Sequence, residues 1–419
     1  MGVGGVESNR GTGLGPWVRV ALLVFLPVAL AATGETATPR GTVTAIQYTS
    51  DHQLLCQNTT DLLTGGPRYP ASAWTVSPSS NAPITHTGGS VSTIQAVVDV
   101  ELRGQIPEGP FVLEGTSDEA ALCFRQTGVV GTKPRLTITV EGRHPLGPRV
   151  RTIRQPIRWT LRSQPGTPQE QRIDLGTTGP HVVYVTRGRP RVNGDDPRSL
   201  VTDIRMQAAI ERVAAAQAKV GDKASPPWLV YELMRQAGTA YVPARHYPSA
   251  QAWKVPESWR MSPPGASCLS IVEYVALVGN MVGIDGDVRL AAFFARPDEP
   301  LRAVRGGLGD PPIRKPGPGN ETWQLFLTDE NNTRKGHPGG AGGMNFYEAA
   351  LEFTWNGTTY FYPAGTDRVY DSPDMVIRIF RTLAWAAYDY RIDAWVVREV
   401  VHTYTPPGQK QPESVPLPR

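Results

Sequence analysis

The sequence predicts an α+β protein, in which an N-terminal β-sandwich is followed by a second domain of helices and antiparallel strands. Between 90 and 186, apolar and polar residues alternate along short segments, which is typical of strands with one buried face. From about 200 the period changes to that of amphipathic helices, and alternating segments return between 288 and 402. The 419 residues are enough for two such domains.

Residues 1–32 have the pattern of a signal peptide. Arg10 and Arg19 precede the apolar stretch Val20–Ala32, which ends in the small-x-small sequence Ala29-Leu30-Ala31. The stretch is too short to span a bilayer comfortably. We therefore expect an exported protein (secreted, periplasmic or at the cell surface), with an uncleaved N-terminal anchor as the alternative. No other segment has a transmembrane pattern.

The first part of the exported chain divides into two regions. Residues 33–89 are rich in Ser, Thr, Pro and Gly and are predicted to be loosely structured, with few strands. Residues 90–186 are predicted to form the β-sandwich, because short strands recur there between turn clusters. The predicted strands are Val97–Leu102, Phe111–Glu114, Leu136–Val140, Ile157–Leu161 and His181–Thr186.

The second domain, 200–405, is predicted to begin with helices. Asp203–Lys219 is amphipathic, Trp228–Gln236 follows a Pro-Pro pair, and Leu269–Val282 is apolar all round and therefore buried. A further helix is predicted at Asp374–Tyr388, and residues 406–419 are predicted to be a disordered, Pro-rich tail. The predicted strands are Val288–Phe294, Thr322–Leu327, Glu348–Thr354, Thr358–Tyr362 and Ala394–His402.

Composition disfavours several functional classes. The net charge of +4 arises from 42 basic and 38 acidic residues that are broadly mixed, and no basic stripe with interleaved aromatics supports nucleic-acid binding. No metal-ligand constellation or phosphate-binding glycine loop occurs, so we expect no metal and no cofactor. An odd number of cysteines in an exported chain predicts a Cys56–Cys123 disulfide and a free Cys268, with three reduced thiols as the alternative.

Cys268 is the candidate nucleophile. It follows Gly265-Ala-Ser and directly precedes the apolar helix that ends at Gly283-Ile284. A helix N-terminus presents unpaired N–H groups and partial positive charge, and both lower the pKa of a thiol. A thiolate nucleophile also needs a base, normally a histidine held by a third group. A buried, inert cysteine kept for packing is the alternative.

The cysteine helix resembles that of the transglutaminase-like superfamily, whose fold is papain-like. Members of that family begin the nucleophile helix with a Gly-x-Cys or similar turn and end it in a Gly-Ile pair that leads into a strand. Gly265-Ala-Ser-Cys268 and Gly283-Ile284 match this spacing. The resemblance covers roughly 226–371. It implies that the second domain is a transglutaminase-like α+β domain and that Cys268 takes the position of the catalytic cysteine.

The second block of the family departs from its pattern. With Asn356-Gly357 as the anchor, Glu352 falls on the family's Glu and Glu348 takes the place of the catalytic His. Pro363 or Ala364 stands where the Asp should be, and Asp367 lies close by. A carboxylate beside a thiol opposes thiolate formation by like-charge repulsion, so the substitution at Glu348 argues against cysteine chemistry.

Two histidines could act as relocated bases. His337 lies in the Gly-rich loop before the Glu348 strand, and His246 precedes Cys268. Imidazole suits the role because its pKa lies near neutrality. A solvated loop histidine is the alternative for His337.

The sequence thus favours a degenerate, non-catalytic binding or structural module, for which a protein or peptide is the expected ligand. The alternative is an active cysteine acyltransferase or peptidase, in which Cys268 attacks an amide and His337 serves as the base. A third class is a surface adhesion or assembly protein whose β-sandwich is the working part.

Overall fold

The structure, a computed structural model, is a mixed α and β protein rich in strands. The residues that it describes all belong to one compact unit, Thr38–Arg419, which includes both of the predicted domains. The predicted signal peptide lies outside the described residues. The described ranges are 39–58, 66–71, 73–131, 133–191, 201–238, 268–296, 299–305, 313–328, 347–364, 366–379, 382–392, 394–403, 408, 410 and 412–418.

Two five-stranded sheets share the N-terminal hydrophobic core. Their inner faces contribute alternate residues: Ala96, Val98 and Val100 of one sheet are buried with Trp159 and Leu161 of the other, as the two-residue period of a strand requires. The first sheet has the order β3-β2-β1-β5-β8 and the second has the order β4-β10-β9-β6-β7. The strands are β1 (Arg40–Tyr48), β2 (Ala73–Thr75), β3 (Ser80–Asn81), β4 (Ile84–Thr87), β5 (Gln95–Arg103), β6 (Gly109–Thr116), β7 (Phe124–Val130), β8 (Arg135–Glu141), β9 (Arg151–Ser163) and β10 (Gln171–Thr186), with a short 3₁₀ helix at Ala120–Leu122.

The region 33–89 is more ordered than its composition predicts. Four strands, β1 to β4, lie in it, and β1 is the central strand of its sheet. The pairing of β1 with β5 shifts register between Val43 and Ala45. That bulge interrupts the two-residue alternation, which is why the strand is hard to recognise from the sequence.

Three helices cover one face of a four-stranded sheet of order β12-β11-β15-β16. The prediction of these helices is confirmed. The first helix begins where the Thr202 hydroxyl accepts a hydrogen bond from the backbone N–H of Arg205, at 3.3 Å, as an N-cap does. The helices are α1 (Asp203–Val220), α2 (Pro226–Gly238) and α3 (Cys268–Met281), and the strands are β11 (Asp287–Arg296), β12 (Glu299–Arg305), β15 (Tyr347–Trp355) and β16 (Thr358–Pro363).

A second four-stranded sheet packs against the β12-β11-β15-β16 sheet, on the face opposite the helices. Its order is β13-β14-β17-β18, and Leu325, Leu327 and Trp385 share a buried cluster with Ala350 of β15 and Phe361 of β16. The sheet that contains β15 is therefore the middle layer between the helices and this second sheet. The remaining elements are β13 (Arg314–Pro316), a 3₁₀ helix (Pro318–Asn320), β14 (Thr322–Thr328), α4 (Pro373–Ile379), β17 (Thr382–Asp389) and β18 (Ala394–Thr403).

The predicted helix Asp374–Tyr388 is wrong over its second half. Helix α4 ends at Ile379, and residues 382–389 form β17, which pairs with β14 on one side and β18 on the other. The segment Leu-Ala-Trp-Ala-Ala-Tyr is apolar enough to fit either the 3.6-residue period of a helix or the two-residue period of a strand. Pairing with strands on both sides decides between them.

The C-terminal tail, predicted to be disordered, packs against the rest of the unit. The backbone N–H of Val415 donates to the carbonyl of Val369 at 2.9 Å, and the N–H of Val369 donates to the Ser414 hydroxyl at 3.0 Å. Val415 and Leu417 lie against the core of the helical layer. Two apolar side chains at alternate positions thus anchor a segment whose composition alone suggests disorder.

We expect the double substitution Val415→Ala/Leu417→Ala to lower the free energy of unfolding by about 1–2 kcal/mol, because both side chains are partly buried and full burial of such a side chain contributes about 1.5–3 kcal/mol. Urea unfolding measures the loss. The matched control is Glu413→Ala/Pro416→Ala, which changes two exposed residues of the same segment. Equal losses in the two variants would contradict the packing of the tail.

Among the helices that the structure describes, none is long and apolar enough to cross a membrane.

Candidate functional site

Cys268 is the first residue of α3 and is almost completely buried, with 3% of its surface exposed. Its cluster is the core of the helical layer, where Ile271, Val272 and Val275 of the same helix are buried as well. A helix that is apolar all round must lie inside the protein. The position of Cys268 at a helix N-terminus agrees with the sequence prediction, and the residue belongs to a buried hydrophobic cluster.

The Gly283-Ile284 pair ends α3 for a structural reason. Gly283 has a φ of +64°, and the N–H of Ile284 donates to the carbonyl of Gly279 at 3.0 Å, as in a glycine C-cap. A Cβ at position 283 would lie 2.3 Å from the carbonyl oxygen of Gly188. The backbone that follows β10 packs on this turn, where the N–H of Arg187 donates to the carbonyl of Val282 at 2.9 Å. The motif that supports the family resemblance is therefore a packing requirement.

Strand β15 presents apolar residues to the layer that contains Cys268. Ala349, Leu351 and Phe353 belong to the same buried cluster as the cysteine. Ala350 belongs instead to the cluster on the opposite side of the sheet, as expected because successive side chains of a strand point to opposite faces. The side chains of β15 that the structure describes in this cluster are therefore apolar.

Glu352 lies on the face of β15 that is turned away from this core. It pairs in register with Phe361, which belongs to the inter-sheet cluster with Ala350, and only 4% of its surface is exposed. The structure therefore does not bring Glu352 together with Cys268. Glu348 pairs in register with Phe293 at the start of β15, and its side chain lies outside the described residues.

The two candidate bases, His337 and His246, lie outside the described residues, so their roles stay predictions. The histidines of the described ranges are His52, His86, His144 and His181 in the N-terminal part and His402 in β18. None of them belongs to α1, α2, β11 or β15, the elements that pack against α3. Asp367, the candidate replacement for the family's Asp, is exposed, and its carbonyl accepts from the Tyr231 hydroxyl at 3.2 Å.

None of the three cysteines is joined in a disulfide. Cys56 is buried, and its backbone forms isolated β-bridges with Arg68 and with Thr202. The thiol of Cys123 donates to the Ser117 carbonyl at 3.4 Å. The structure therefore corresponds to the reduced alternative. Burial raises the pKa of Cys56, which makes that thiol a poor nucleophile.

Within the described ranges, no three His, Cys, Asp or Glu side chains are grouped so that they could hold a metal ion. Trp395 lines an open groove on the second four-stranded sheet, far along the chain from the cysteine helix. Sequence reasoning missed this groove, because its lining comes from four strands and two turns that only the sheet brings together.

No protein-family model matches the chain, and no curated protein matches it. Among solved structures, the chain is similar to the periplasmic domain of TgpA from Pseudomonas aeruginosa. The two are 13% identical, the alignment covers 80% of this chain and 90% of that chain, and the TM-score is 0.20. A likeness this slight adds nothing to what the residues of the cysteine helix indicate.

Proposed function

We propose that this chain is an exported protein in which a β-sandwich precedes a transglutaminase-like domain, and that the latter is a non-catalytic binding or structural module. The observation that carries the proposal is the burial of Cys268, of which 3% of the surface is exposed. The thiol starts a buried helix, and Ala349, Leu351 and Phe353 are the residues of β15 in its cluster.

Such surroundings work against cysteine chemistry. Desolvation penalises the charged form of a thiol, and a nearby imidazolium or other cation is needed to offset that penalty. Glu348 stands at the position of the family's catalytic histidine, and a carboxylate cannot form the cation that would offset this penalty. In this proposal the fold of the family is kept, while the position of its catalytic histidine no longer supplies an imidazole.

One observation favours the alternative, an active cysteine acyltransferase or peptidase. Cys268 is the first residue of a 14-residue helix, where unpaired N–H groups stabilise a thiolate. In this alternative the loop that contains His337 supplies the base. It requires an imidazole nitrogen within hydrogen-bond reach of the Cys268 sulfur, about 3–4 Å.

The pH dependence of thiol alkylation separates the two functions. In a Cys56→Ser/Cys123→Ser background, we expect Cys268 to react slowly with iodoacetamide in the folded protein, with no inflection below the ~8.5 of a free thiol. Addition of denaturant should make the reaction fast, because burial of the thiol in the folded protein is what limits access of the reagent.

The matched variant is His337→Ala in the same background. An inflection well below ~8.5 that disappears in His337→Ala would contradict the proposal and support the enzyme. An unchanged profile in that variant is the result that we expect.

A further inference from the structure

We propose that a groove on the outer face of the sheet β13-β14-β17-β18 binds an acidic saccharide. The groove has a volume of about 670 Å³, and its lining includes Arg314, Gln324, Tyr388, Tyr390, Trp395 and Arg398. Cys268 belongs to the helical layer and not to this sheet, so the proposal does not depend on whether that cysteine is catalytic.

Strand register builds the floor of the groove. Arg314 of β13 pairs with Gln324 of β14, and Gln324 pairs with Ala386 of β17. Two residues further along β17, on the same face, Tyr388 pairs with Trp395 of β18. Side chains on one face of adjacent paired strands lie side by side. A cation, an amide and two aromatic rings are therefore fixed on rigid backbone in one surface.

The aromatic side chains form the walls. The ring centroid of Tyr388 lies 5.5 Å from that of Trp395 and 5.0 Å from that of Tyr390, and both pairs meet edge to face at 74°. Trp395 is in turn supported by the buried Phe326, at 4.7 Å. Tyr390 is 88% exposed. Exposed rings that are held in fixed orientations present flat apolar faces, which suit the C–H faces of sugar rings.

The charged side chains of the groove are mostly paired with one another. Arg398 contacts Glu321 at 3.0 Å, and Arg391 contacts Asp389 through two nitrogen atoms at 2.9 and 3.1 Å. The hydrogen bonds from Arg391 lower the pKa of Asp389 to about 2. Both carboxylates are thereby held as oriented hydrogen-bond acceptors, which is what sugar hydroxyl groups require.

Arg314 is the third arginine that lines the groove, beside Arg391 and Arg398. It is exposed and makes no ion pair with any residue that the structure describes. A guanidinium presents a planar fork of donors that matches a carboxylate or sulfate. The groove therefore combines stacking faces, oriented acceptors and one positive charge that has no ion-pair partner among the described residues. Together these features fit a sugar chain that carries acidic groups.

Other ligand classes fit the groove less well. A peptide that adds to a sheet needs a free strand edge, whereas the groove lies across the face of the sheet, over the central strands β14 and β17, whose edges are both paired. Nucleic-acid binding depends on several phosphate contacts, and only one cation of the lining lacks an ion-pair partner among the described residues. A saccharide that lies across the face of the sheet requires neither feature.

Calorimetric titration of the purified full chain tests the proposal. The probes are tetrasaccharides of hyaluronan, chondroitin sulfate and polygalacturonate, together with the carboxyl-reduced form of the hyaluronan probe. We expect at least one acidic probe to bind, and the reduced probe to bind more weakly than its acidic parent.

Two variants with matched controls locate the site. Tyr390→Ala should weaken binding about tenfold, equivalent to about 1.4 kcal/mol, because it removes one stacking face. Arg314→Gln should weaken binding of the acidic probe and leave that of the reduced probe unchanged. The controls are Val91→Ala, which is equally exposed at 88%, and Arg172→Gln, an exposed arginine of β10; neither should alter binding.

Three outcomes would overturn the proposal. In the first, none of the acidic probes binds at millimolar concentration. In the second, binding persists unchanged in both groove variants. In the third, an alternating Glu-Tyr peptide binds with the same dependence on Tyr390 and Arg314 while the saccharides do not, which would make the groove a peptide site.

Discussion

Replacement of Gly283 by alanine should lower the free energy of unfolding by about 2–5 kcal/mol. The residue has a φ of +64°, a conformation that costs an L-residue about 1–2 kcal/mol. The new Cβ would also lie 2.3 and 2.7 Å from the carbonyl oxygens of Gly188 and Arg189. Both contacts are with backbone, so relief requires movement of the chain between β10 and α1, and such overpacking costs about 1–3 kcal/mol.

Gly357→Ala is the matched control. Gly357 has a φ of +80° in the turn between β15 and β16, and nothing lies within 4 Å of the position of its Cβ. Only the cost of the backbone conformation, about 1–2 kcal/mol, applies there. Guanidinium unfolding followed by tryptophan fluorescence compares the two variants. Equal losses would mean that the close approach at Gly283 adds no strain and would refute the prediction.

Acidification should destabilise the protein by about 3 kcal/mol through a single residue, His181. The side chain is buried in the N-terminal core, with its Nε2 2.8 Å from the Thr178 hydroxyl and its ring 5.7 Å from that of Tyr48. Burial lowers its pKa from 6.5 to about 4. The imidazole is therefore neutral in the folded state across a range in which the unfolded chain would bind a proton.

The sign follows from proton binding in the two states. Between pH 6.5 and about 4 the unfolded state binds more protons than the folded state, so stability falls as the pH is lowered through this window. A difference of 2.5 between the two pKa values, at about 1.4 kcal/mol for each unit, gives a loss of about 3 kcal/mol. Above pH 6.5 and below about 4 this residue adds no further pH dependence.

His181→Gln should flatten the pH dependence of stability between pH 4 and 6.5. The amide can keep a hydrogen bond to Thr178 but does not titrate. His144→Gln, at an exposed position of the same region, is the control. Burial also lowers the pKa of His52, so part of the slope should remain in both variants. If the slope in His181→Gln equals that of wild type, His181 does not account for it.

Most of the second domain follows from local patterns. The helices at 203–220, 226–238 and 268–281 and the strands β11, β14, β15, β16 and β18 lie close to where their periodicity predicts them, because each buries one face or is buried on all sides. The errors occur where tertiary contacts override a local pattern. The bulge in β1 hides a central strand, and the partners of β17 convert a predicted helix into a strand.

The candidate site, too, is predictable from the sequence only in part. The sequence places Cys268 at the start of a buried helix and places Gly283 at its end, and the structure agrees on both. It could not show which residues of β15 share the core with that cysteine. A shift of one residue turns every side chain of a strand to the other face, so only the register assigns Leu351 to the layer of Cys268 and Glu352 to the opposite one.

Hydrophobic periodicity and capping residues act over a few neighbouring positions, and they are enough to predict a mixed α and β protein, the helical layer and the position of Cys268 at a helix start. The burial of that thiol, the anchoring of the C-terminal tail at Val369 and the groove at Trp395 come from the tertiary structure. Each of these depends on strands or segments that are distant in sequence. Their proximity is set by pairing register and layer packing, which no local pattern encodes.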